Sequence, residues 1–204
     1  MTHAVAIGLF AKWPEAGRVK TRLAHETSPE FAAAIARTFL IDTLEWLREL
    51  AGCDQFVAYD PPDAQPKFAE LVEGRTPPIL LEAQSEGDLG TRLETFCQRR
   101  FYDGYEAAIL IGSDSPNLPI TILRDAIELL QTHDAVIGPT SDGGYYLVGM
   151  RRLLPIFAGI TWSTDRVFPE TSERLTTANV PFAVLPQWYD IDTLADLRFL
   201  ESQR

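Results

Sequence analysis

Short apolar runs alternate with amphipathic segments along almost the whole chain. Seven of these runs predict β-strands, and several are continuously apolar, as is typical of strands covered by helices on both faces. The predicted strands are residues 4–10, 55–59, 79–82, 107–111, 135–138, 145–149 and 182–185.

Helical patterns fill the segments between these strands. Ser28-Pro29-Glu30 has the features of a helix start: a hydroxyl N-cap, a proline in the first turn and then an acid. Apolar residues follow at helical spacing as far as Leu47. Further helices are predicted over residues 89–101, 120–130, 164–175 and 192–200.

The alternation of strands and helices predicts an α/β fold, a three-layer α/β/α sandwich with a mainly parallel sheet. The less regular stretch 145–161 leaves room for an antiparallel strand. No repeat or linker divides the chain, and its proline pairs are expected in loops, so we predict one domain over residues 1–204.

The net charge of -11 disfavours nucleic acid and anionic membrane surfaces as partners. No apolar stretch approaches the roughly 20 residues that span a bilayer. Two cysteines without zinc-site spacing suit a reducing compartment. The apolar N-terminus predicts a strand rather than a signal peptide, so we expect a soluble cytoplasmic protein. Its oligomeric state stays open, with a homodimer as one outcome.

A basic loop follows the first predicted strand. Four of the chain's 18 Lys and Arg residues fall within positions 12–22. In doubly wound sheets ligands bind at the carboxyl ends of strands, which favours a phosphate chain at this loop. Gly17 would allow close backbone approach, while Lys20 and Arg22 would supply charge and hydrogen bonds. The alternative is an exposed loop with solvated charges, and its glycine spacing matches neither a Walker A nor a Rossmann loop.

Acidic residues follow other strands at the same expected edge. Asp114 follows the apolar run 107–111 after two residues. A hard cation such as Mg²⁺ takes one or two carboxylates together with substrate phosphates. Asp190 and Asp192 point to one side if their segment is extended. The alternatives are a turn or cap role for Asp114 and helix capping by Asp192.

Two glycine-bearing loops complete the candidate site. Residues 138–146 contain an Asp-Gly-Gly-Tyr sequence, which either joins two strands tightly or lets a ligand approach the backbone. Residues 87–92 open a predicted helix whose N-terminus is suited to an anion.

Six ordered blocks covering nearly the whole chain resemble the DUF2064 family of GT-A-like glycosyltransferases, also called rSAM/selenodomain-associated transferases. The blocks are Phe10-Ala11-Lys12 with Pro14, Gly17 and Val19-Lys20-Thr21-Arg22-Leu23; Gly87-Asp88-Leu89-Gly90-Thr91-Arg92; Gly112-Ser113-Asp114-Ser115-Pro116; Gly138-Pro139 with Ser141-Asp142-Gly143-Gly144-Tyr145; Trp162-Ser163-Thr164; and Asp190-Ile191-Asp192-Thr193 with Asp196-Leu197. The resemblance implies a Rossmann-like GT-A nucleotide-diphospho-sugar transferase fold.

Parts of the chain are also similar to nucleotidyltransferases. The Lys20-Thr21-Arg22-Leu23 run resembles the Lys-Ser-Arg-Leu run of phospholactate and phosphoenolpyruvate guanylyltransferases. The Asp190–Thr193 run is similar to one in molybdenum-cofactor and sugar nucleotidyltransferases. The usual nucleotidyltransferase loop, with two close glycines before Arg and Lys, is missing. Ser113-Asp114-Ser115 also departs from the Asp-x-Asp of many sugar transferases.

Together these observations predict a metal-dependent transferase with a nucleotide or nucleotide-sugar donor and a small-molecule acceptor. Nucleotide-binding residues are predicted to be Phe10, Ala11, Lys12, Gly17, Arg18, Lys20 and Arg22. The acceptor side is predicted to contain Asp88, Arg92, Ser113, Asp142, Gly143, Gly144 and Tyr145. Mg²⁺ or Mn²⁺ is assigned to Asp114, Asp192 and Asp190. Catalysis is assigned to Lys20, Arg22 and Asp114.

Two alternatives remain beside glycosyl transfer. A nucleotidyltransferase would use the same metal and cations but release pyrophosphate. A non-catalytic module would bind the nucleotide without turnover.

Overall fold

A seven-stranded sheet organises the protein, and a computed structural model describes residues 5–203. The strands are β1 Val5–Lys12, β2 Cys53–Asp60, β3 Ile79–Ala83, β4 Ala107–Gly112, β5 Ala135–Pro139, β6 Tyr145–Met150 and β7 Phe182–Val184. They lie in the order β3-β2-β1-β4-β6-β5-β7. All neighbouring pairs are parallel except those that β6 forms with β4 and β5. The expected antiparallel strand is therefore β6.

Within residues 5–203, six α-helices lie between the strands and a seventh follows the last one. They are α1 Thr21–Glu26, α2 Pro29–Leu47, α3 Gln65–Val72, α4 Leu89–Tyr102, α5 Ile120–Leu129, α6 Val167–Thr177 and α7 Leu194–Ser202. The sequence did not predict α1 and α3. These helices bury only Leu23 and Phe68, respectively, so they show little apolar periodicity.

Several predicted boundaries were wrong at the helix and strand ends. Strand β1 continues to Lys12, and the predicted start at Ala4 lies outside the described residues. Helix α6 begins at Val167 rather than at residue 164. Helix α7 is capped by Thr193, whose hydroxyl accepts from the Asp196 N–H at 3.2 Å, and not by Asp192. The alternative of Asp192 as a helix cap is therefore wrong.

The two faces of the sheet are covered by different helices. On one face, Ile7 and Leu9 of β1 share an apolar cluster with residues of α2, α3 and α5. On the other face, Ala6 shares a second cluster with Phe96 of α4 and Leu175 of α6. These clusters confirm the predicted three-layer α/β/α arrangement. None of the helices within residues 5–203 is both long and apolar enough to span a membrane.

The order in which strands are added to the sheet reverses between β1 and β4. Strand β1 pairs with β2 on one side and with β4 on the other, and later strands lie beyond β4. Phe10 pairs with Gly112, so the segments after both strands leave the same edge close together. A crevice at such a topological switch point is where doubly wound folds bind ligands.

We expect the glycine at the centre of β1 to be required for packing. A Cβ at Gly8 would lie 2.6 Å from Cζ of Phe96. That ring is buried and makes edge contacts with Phe10 and Phe56, so it has little room to move. Gly8→Ala should lower the free energy of unfolding by about 1–3 kcal/mol in urea titrations.

Gly112→Ala is the matched control, because a Cβ there has no neighbour within 4 Å. It should change the unfolding free energy by no more than about 0.5 kcal/mol. Equal effects of the two variants would contradict the packing argument.

Candidate functional site

The ammonium group of Lys20 lies between two of the predicted metal ligands. Its Nζ donates to Asp114 Oδ1 at 2.7 Å and to Asp192 Oδ1 at 3.5 Å. It also donates to the carbonyl oxygen of Ile191 at 2.7 Å. The crevice therefore brings together three predicted site residues from segments far apart in the chain.

The Lys20 side chain is only 3% exposed, whereas Asp114 is 50% and Asp192 35% exposed. Lys20 lies just before α1 with a left-handed backbone, φ 43°, which costs energy for a residue other than glycine. Its ammonium lies 5.1 Å from the centre of the Phe39 ring. The fold thus holds this lysine against the carboxylates despite an unfavourable backbone conformation.

Backbone contacts fix the two acidic segments to each other. The Ile191 N–H donates to the carbonyl oxygen of Asp114 at 3.0 Å. The Ser115 hydroxyl donates to Asp190 Oδ1 at 2.6 Å and to the Tyr189 carbonyl at 3.1 Å. As a result, the segment after β4 and the segment before α7 form one acidic wall.

Asp190 differs electrostatically from the other acids in this wall. Burial raises its pKa to about 7, and the nearby carboxylates of Asp114, Asp192 and Asp142 act in the same direction. The hydrogen bond from Ser115 opposes this shift. Burial also raises the pKa of Asp192, although Lys20 and Arg22 partly offset it.

Of the three predicted metal ligands, Asp114 and Asp192 share one cationic partner, whereas Asp190 has a different partner. Within residues 5–203, no group of three or more His, Cys, Asp or Glu side chains is arranged to hold a metal ion. Asp114 and Asp192 approach the same ammonium, while Asp190 is engaged by Ser115. Two carboxylates completed by substrate phosphates and water are a common Mg²⁺ environment. The donor set therefore fits a metal that arrives with a phosphate ligand.

A cavity of about 420 Å³ opens in front of the acidic wall. Its lining residues are Arg22, Leu89, Asp114, Thr140, Asp142, Gly144, Tyr145, Trp162, Ser163, Thr164, Asp165, Val167, Asp190 and Asp192. The cavity thus contains predicted residues from the nucleotide, acceptor and metal groups.

The loop between β5 and β6 shapes the far side of this cavity. Asp142 accepts from the Thr140 hydroxyl at 2.6 Å and from the Gly144 N–H at 3.2 Å. Gly143 has φ 89°, and a Cβ there would lie 2.2 Å from the carbonyl oxygen of Asp165. The glycine therefore allows this loop to pack against the segment before α6.

That segment, residues 162–165, was given no role from the sequence. Trp162, Ser163 and Thr164 belong to one of the resemblance blocks, but they show no recognisable ligand chemistry. A Cβ at Gly90 would lie 2.9 Å from Trp162 Nε1, so Gly90 makes room for the indole. The resemblance block was the only sequence feature that indicated a role for residues 162–165 in lining the cavity.

The other predicted nucleotide residues lie along β1 and its loop. Phe10 packs edge-on against Phe96, and Ala11 is buried. Lys12 is exposed at the end of β1, and Gly17 takes a positive φ of 79° in the turn. Arg18 is exposed and pairs with Glu15 at 3.4 Å.

Asp88, Arg92 and Ser113 are not part of the cavity lining. Asp88 caps α4, since it accepts from the backbone N–H and the hydroxyl of Thr91. Arg92 donates to the Gly87 carbonyl at 3.0 Å and lies 3.6 Å from Asp60. Ser113 is partly exposed beside Asp114.

The chain matches the sequence profile of DUF2064, described as "Uncharacterized protein conserved in bacteria", over residues 43–164. No curated protein matches it. One solved structure, from Desulfovibrio desulfuricans G20, carries a provisional description as a nucleotide-diphospho-sugar transferase. It is 38% identical to the chain with a TM-score of 0.91, and the match covers 98% of this chain and 87% of that one.

More distant structures share the fold. A cytidylyltransferase from Leptospira borgpetersenii is 17% identical with a TM-score of 0.66, covering 99% of this chain and 86% of the other. A manganese complex of Rv0371c from Mycobacterium tuberculosis is 18% identical with a TM-score of 0.56, covering 98% of both chains. Together with the Desulfovibrio structure, these two structures confirm the predicted α/β nucleotide-diphospho-sugar transferase fold class.

We expect Asp190 to make stability depend on pH. Its folded pKa of about 7 lies above that of an unfolded aspartate, so the folded protein binds a proton at Asp190 more tightly than the unfolded chain does. The free energy of unfolding that this proton contributes is therefore fully present below about pH 4 and is lost as pH rises towards 7. In EDTA-containing buffer, the wild type should lose about 2–4 kcal/mol over this range relative to Asp190→Asn. Urea titrations at several pH values measure the difference.

Asp125→Asn, on the exposed surface of α5, serves as the control and should follow the wild-type profile. If the curves for wild type and Asp190→Asn run parallel between pH 4 and 7, the Asp190 pKa is not raised.

Proposed function

Since the chain belongs to the DUF2064 family, we propose that it is a metal-dependent transferase with a single GT-A-like domain over residues 1–204. Its donor would be a nucleotide or a nucleotide sugar. The observation that carries this proposal is the convergence of Lys20, Asp114 and Asp192 at the switch point between β1 and β4. The names of the Desulfovibrio and Leptospira neighbours support a transferase of this class.

Asp114 and Asp192 are the residues that would hold Mg²⁺ or Mn²⁺. The bound cation would neutralise negative charge on the donor phosphates. Manganese in the Mycobacterium tuberculosis neighbour supports a divalent metal in this fold. Asp190 remains a predicted third ligand, and Ser115 orients its carboxylate.

Cations at one end of the cavity would bind the donor phosphates. The Arg22 guanidinium is 67% exposed and lies 3.7 Å from Asp192, so it can turn to a phosphate without losing a buried partner. Lys20 is adjacent, and Lys12 is exposed at the end of β1. An Arg fork and an ammonium group suit phosphate oxygens. We assign the nucleotide to this side.

The charge of the cavity indicates the kind of acceptor. Besides the two proposed metal ligands, three carboxylates line it: Asp142, Asp165 and Asp190. Arg22 is the one cation among its lining residues. An anionic acceptor would be repelled there, whereas a neutral hydroxyl compound could donate hydrogen bonds to the carboxylates.

This charge balance favours glycosyl transfer. A hydroxyl oxygen of the acceptor would form a bond to the anomeric carbon of the donor sugar. The bond from that carbon to the diphosphate oxygen would break, and the nucleoside diphosphate would leave with the electron pair. Arg22 and Lys20 would bind its phosphates. The hydroxyl proton would pass to one of the carboxylates that line the cavity.

Nucleotidyl transfer is the second candidate. The Lys20–Leu23 run and its similarity to guanylyltransferases favour it, since those cations could also stabilise departing pyrophosphate. A non-catalytic module would retain the binding contacts without turnover. A membrane or nucleic-acid partner is not proposed, because the cavity and the whole chain are acidic.

We expect Asp114→Asn to lose metal-dependent ligand binding. In a thermal-shift screen of nucleoside triphosphates and nucleotide sugars with Mg²⁺, Mn²⁺ or EDTA, a donor at 100 times its Kd should stabilise the wild type by about 2.7 kcal/mol. Asp114→Asn should keep only the stabilisation seen with EDTA. Asp125→Asn, with the same change on α5, should behave like the wild type.

Metal-dependent stabilisation that survives in Asp114→Asn would remove Asp114 from the metal site. If no nucleotide or nucleotide sugar stabilised the wild type, the transferase proposal would fail.

We expect the products to distinguish the two reactions. With a donor found in the screen and a mixture of neutral polyols, ³¹P NMR should show a nucleoside diphosphate that accumulates only with acceptor present. Pyrophosphate formed from a triphosphate and a phosphorylated acceptor would instead establish the second candidate. Tight donor binding with neither product would leave the non-catalytic module.

A further inference from the structure

Lys20 occupies the place where the proposed function puts a cation. Its ammonium contacts Asp114 Oδ1 at 2.7 Å and Asp192 Oδ1 at 3.5 Å, so it already bridges the two carboxylates. Metal–oxygen distances for Mg²⁺ are about 2.0–2.1 Å. A metal ion bound to the same carboxylate pair would therefore lie within a few ångströms of Nζ.

Two cations at that separation repel each other strongly in a partly buried site. The Lys20 side chain is 3% exposed, so solvent screens the repulsion only weakly. The ammonium also donates to the Ile191 carbonyl, a neutral partner that could not hold it against a divalent charge. Lys20 and a metal are thus alternative occupants.

The lysine needs a new anionic partner when it leaves. Its flexible four-carbon stem can move the ammonium while the backbone stays in place. The proposed function assigns the donor phosphates to Arg22, two residues further along the chain and 3.7 Å from Asp192, so such a phosphate would lie close to the Lys20 ammonium.

We propose that Lys20 is a positioning residue whose ammonium competes with a divalent metal for Asp114 and Asp192 in the free protein. When a donor phosphate binds, the ammonium would pair with that phosphate and leave the two carboxylates to the metal. This rests on the proposed function for the metal site at Asp114 and Asp192 and for the identity of the phosphate. The free protein would then bind metal weakly, and the donor would bring the metal into the site. Loss of Lys20 would open the pair to metal alone.

The test is a titration of nucleotide-free protein with Mn²⁺, in which the EPR signal of free Mn²⁺ reports binding. Lys20→Met keeps the aliphatic stem and removes the charge. We expect this variant to lower the Kd for Mn²⁺ at least about tenfold, which corresponds to about 1.4 kcal/mol. Adding Asp114→Asn to Lys20→Met should abolish the gain.

Arg22→Met is the matched control, because Arg22 also faces Asp192 but is 67% exposed and does not lie between the carboxylates. Its effect should stay below about threefold, since solvent screens an exposed charge. Lys20→Gln replaces Lys20→Met if circular dichroism shows that the latter is unfolded.

An unchanged or weaker affinity for Mn²⁺ in the Lys20 variant would overturn the proposal. An equal gain in Arg22→Met would also overturn it, because general electrostatics would then explain both. Neither result involves a nucleotide, so this failure is distinguishable from failure of the transferase proposal in the thermal-shift screen.

Discussion

The parallel pairing of β1 with β4 is the constraint on which the site depends. Because Phe10 pairs with Gly112, the loop that ends at Lys20 and the turn that carries Asp114 leave the same edge of the sheet. The Ile191 N–H then joins the segment before α7 to Asp114 through a single backbone hydrogen bond. Shifting the pairing by one residue would turn every side chain of the shifted strand to the opposite face of the sheet and separate the cation from both acids.

The central architecture could be predicted from sequence because its causes are local. Continuous apolar runs placed the strands to within a few residues, and Ser28 caps α2 as expected by accepting from the Phe31 N–H at 3.1 Å. The short helices α1 and α3 escaped prediction, since each depends on one buried side chain packed by the tertiary structure. Asp192 was ambiguous for another reason: Thr193 beside it is also a favoured cap residue, and the capping box with Asp196 is the feature that selects Thr193.

The site was predictable as a set of residues but not as a set of contacts. Asp114 and Asp192 could be proposed from their positions after or between apolar runs. Their shared partner Lys20 lies 94 and 172 residues away along the chain, and no local pattern encodes such a pairing. The part of the cavity lined by residues 162–165 was not predicted, because Trp162 contributes shape there and carries no charge or metal-binding group that a sequence pattern reveals.

The hydrogen bond from the Leu194 N–H to Glu26 joins the two ends of the fold at 3.1 Å. It links the end of α1 to the start of α7, next to the acids and the lysine that the crevice collects. During synthesis, the strands β1 to β4 are complete before the last third of the chain, which contains Ile191, Asp192 and α7, has been made. The acidic wall is therefore completed only when Ile191 and Asp192 have emerged, so a nascent chain would acquire the sheet from β1 to β4 before its binding chemistry.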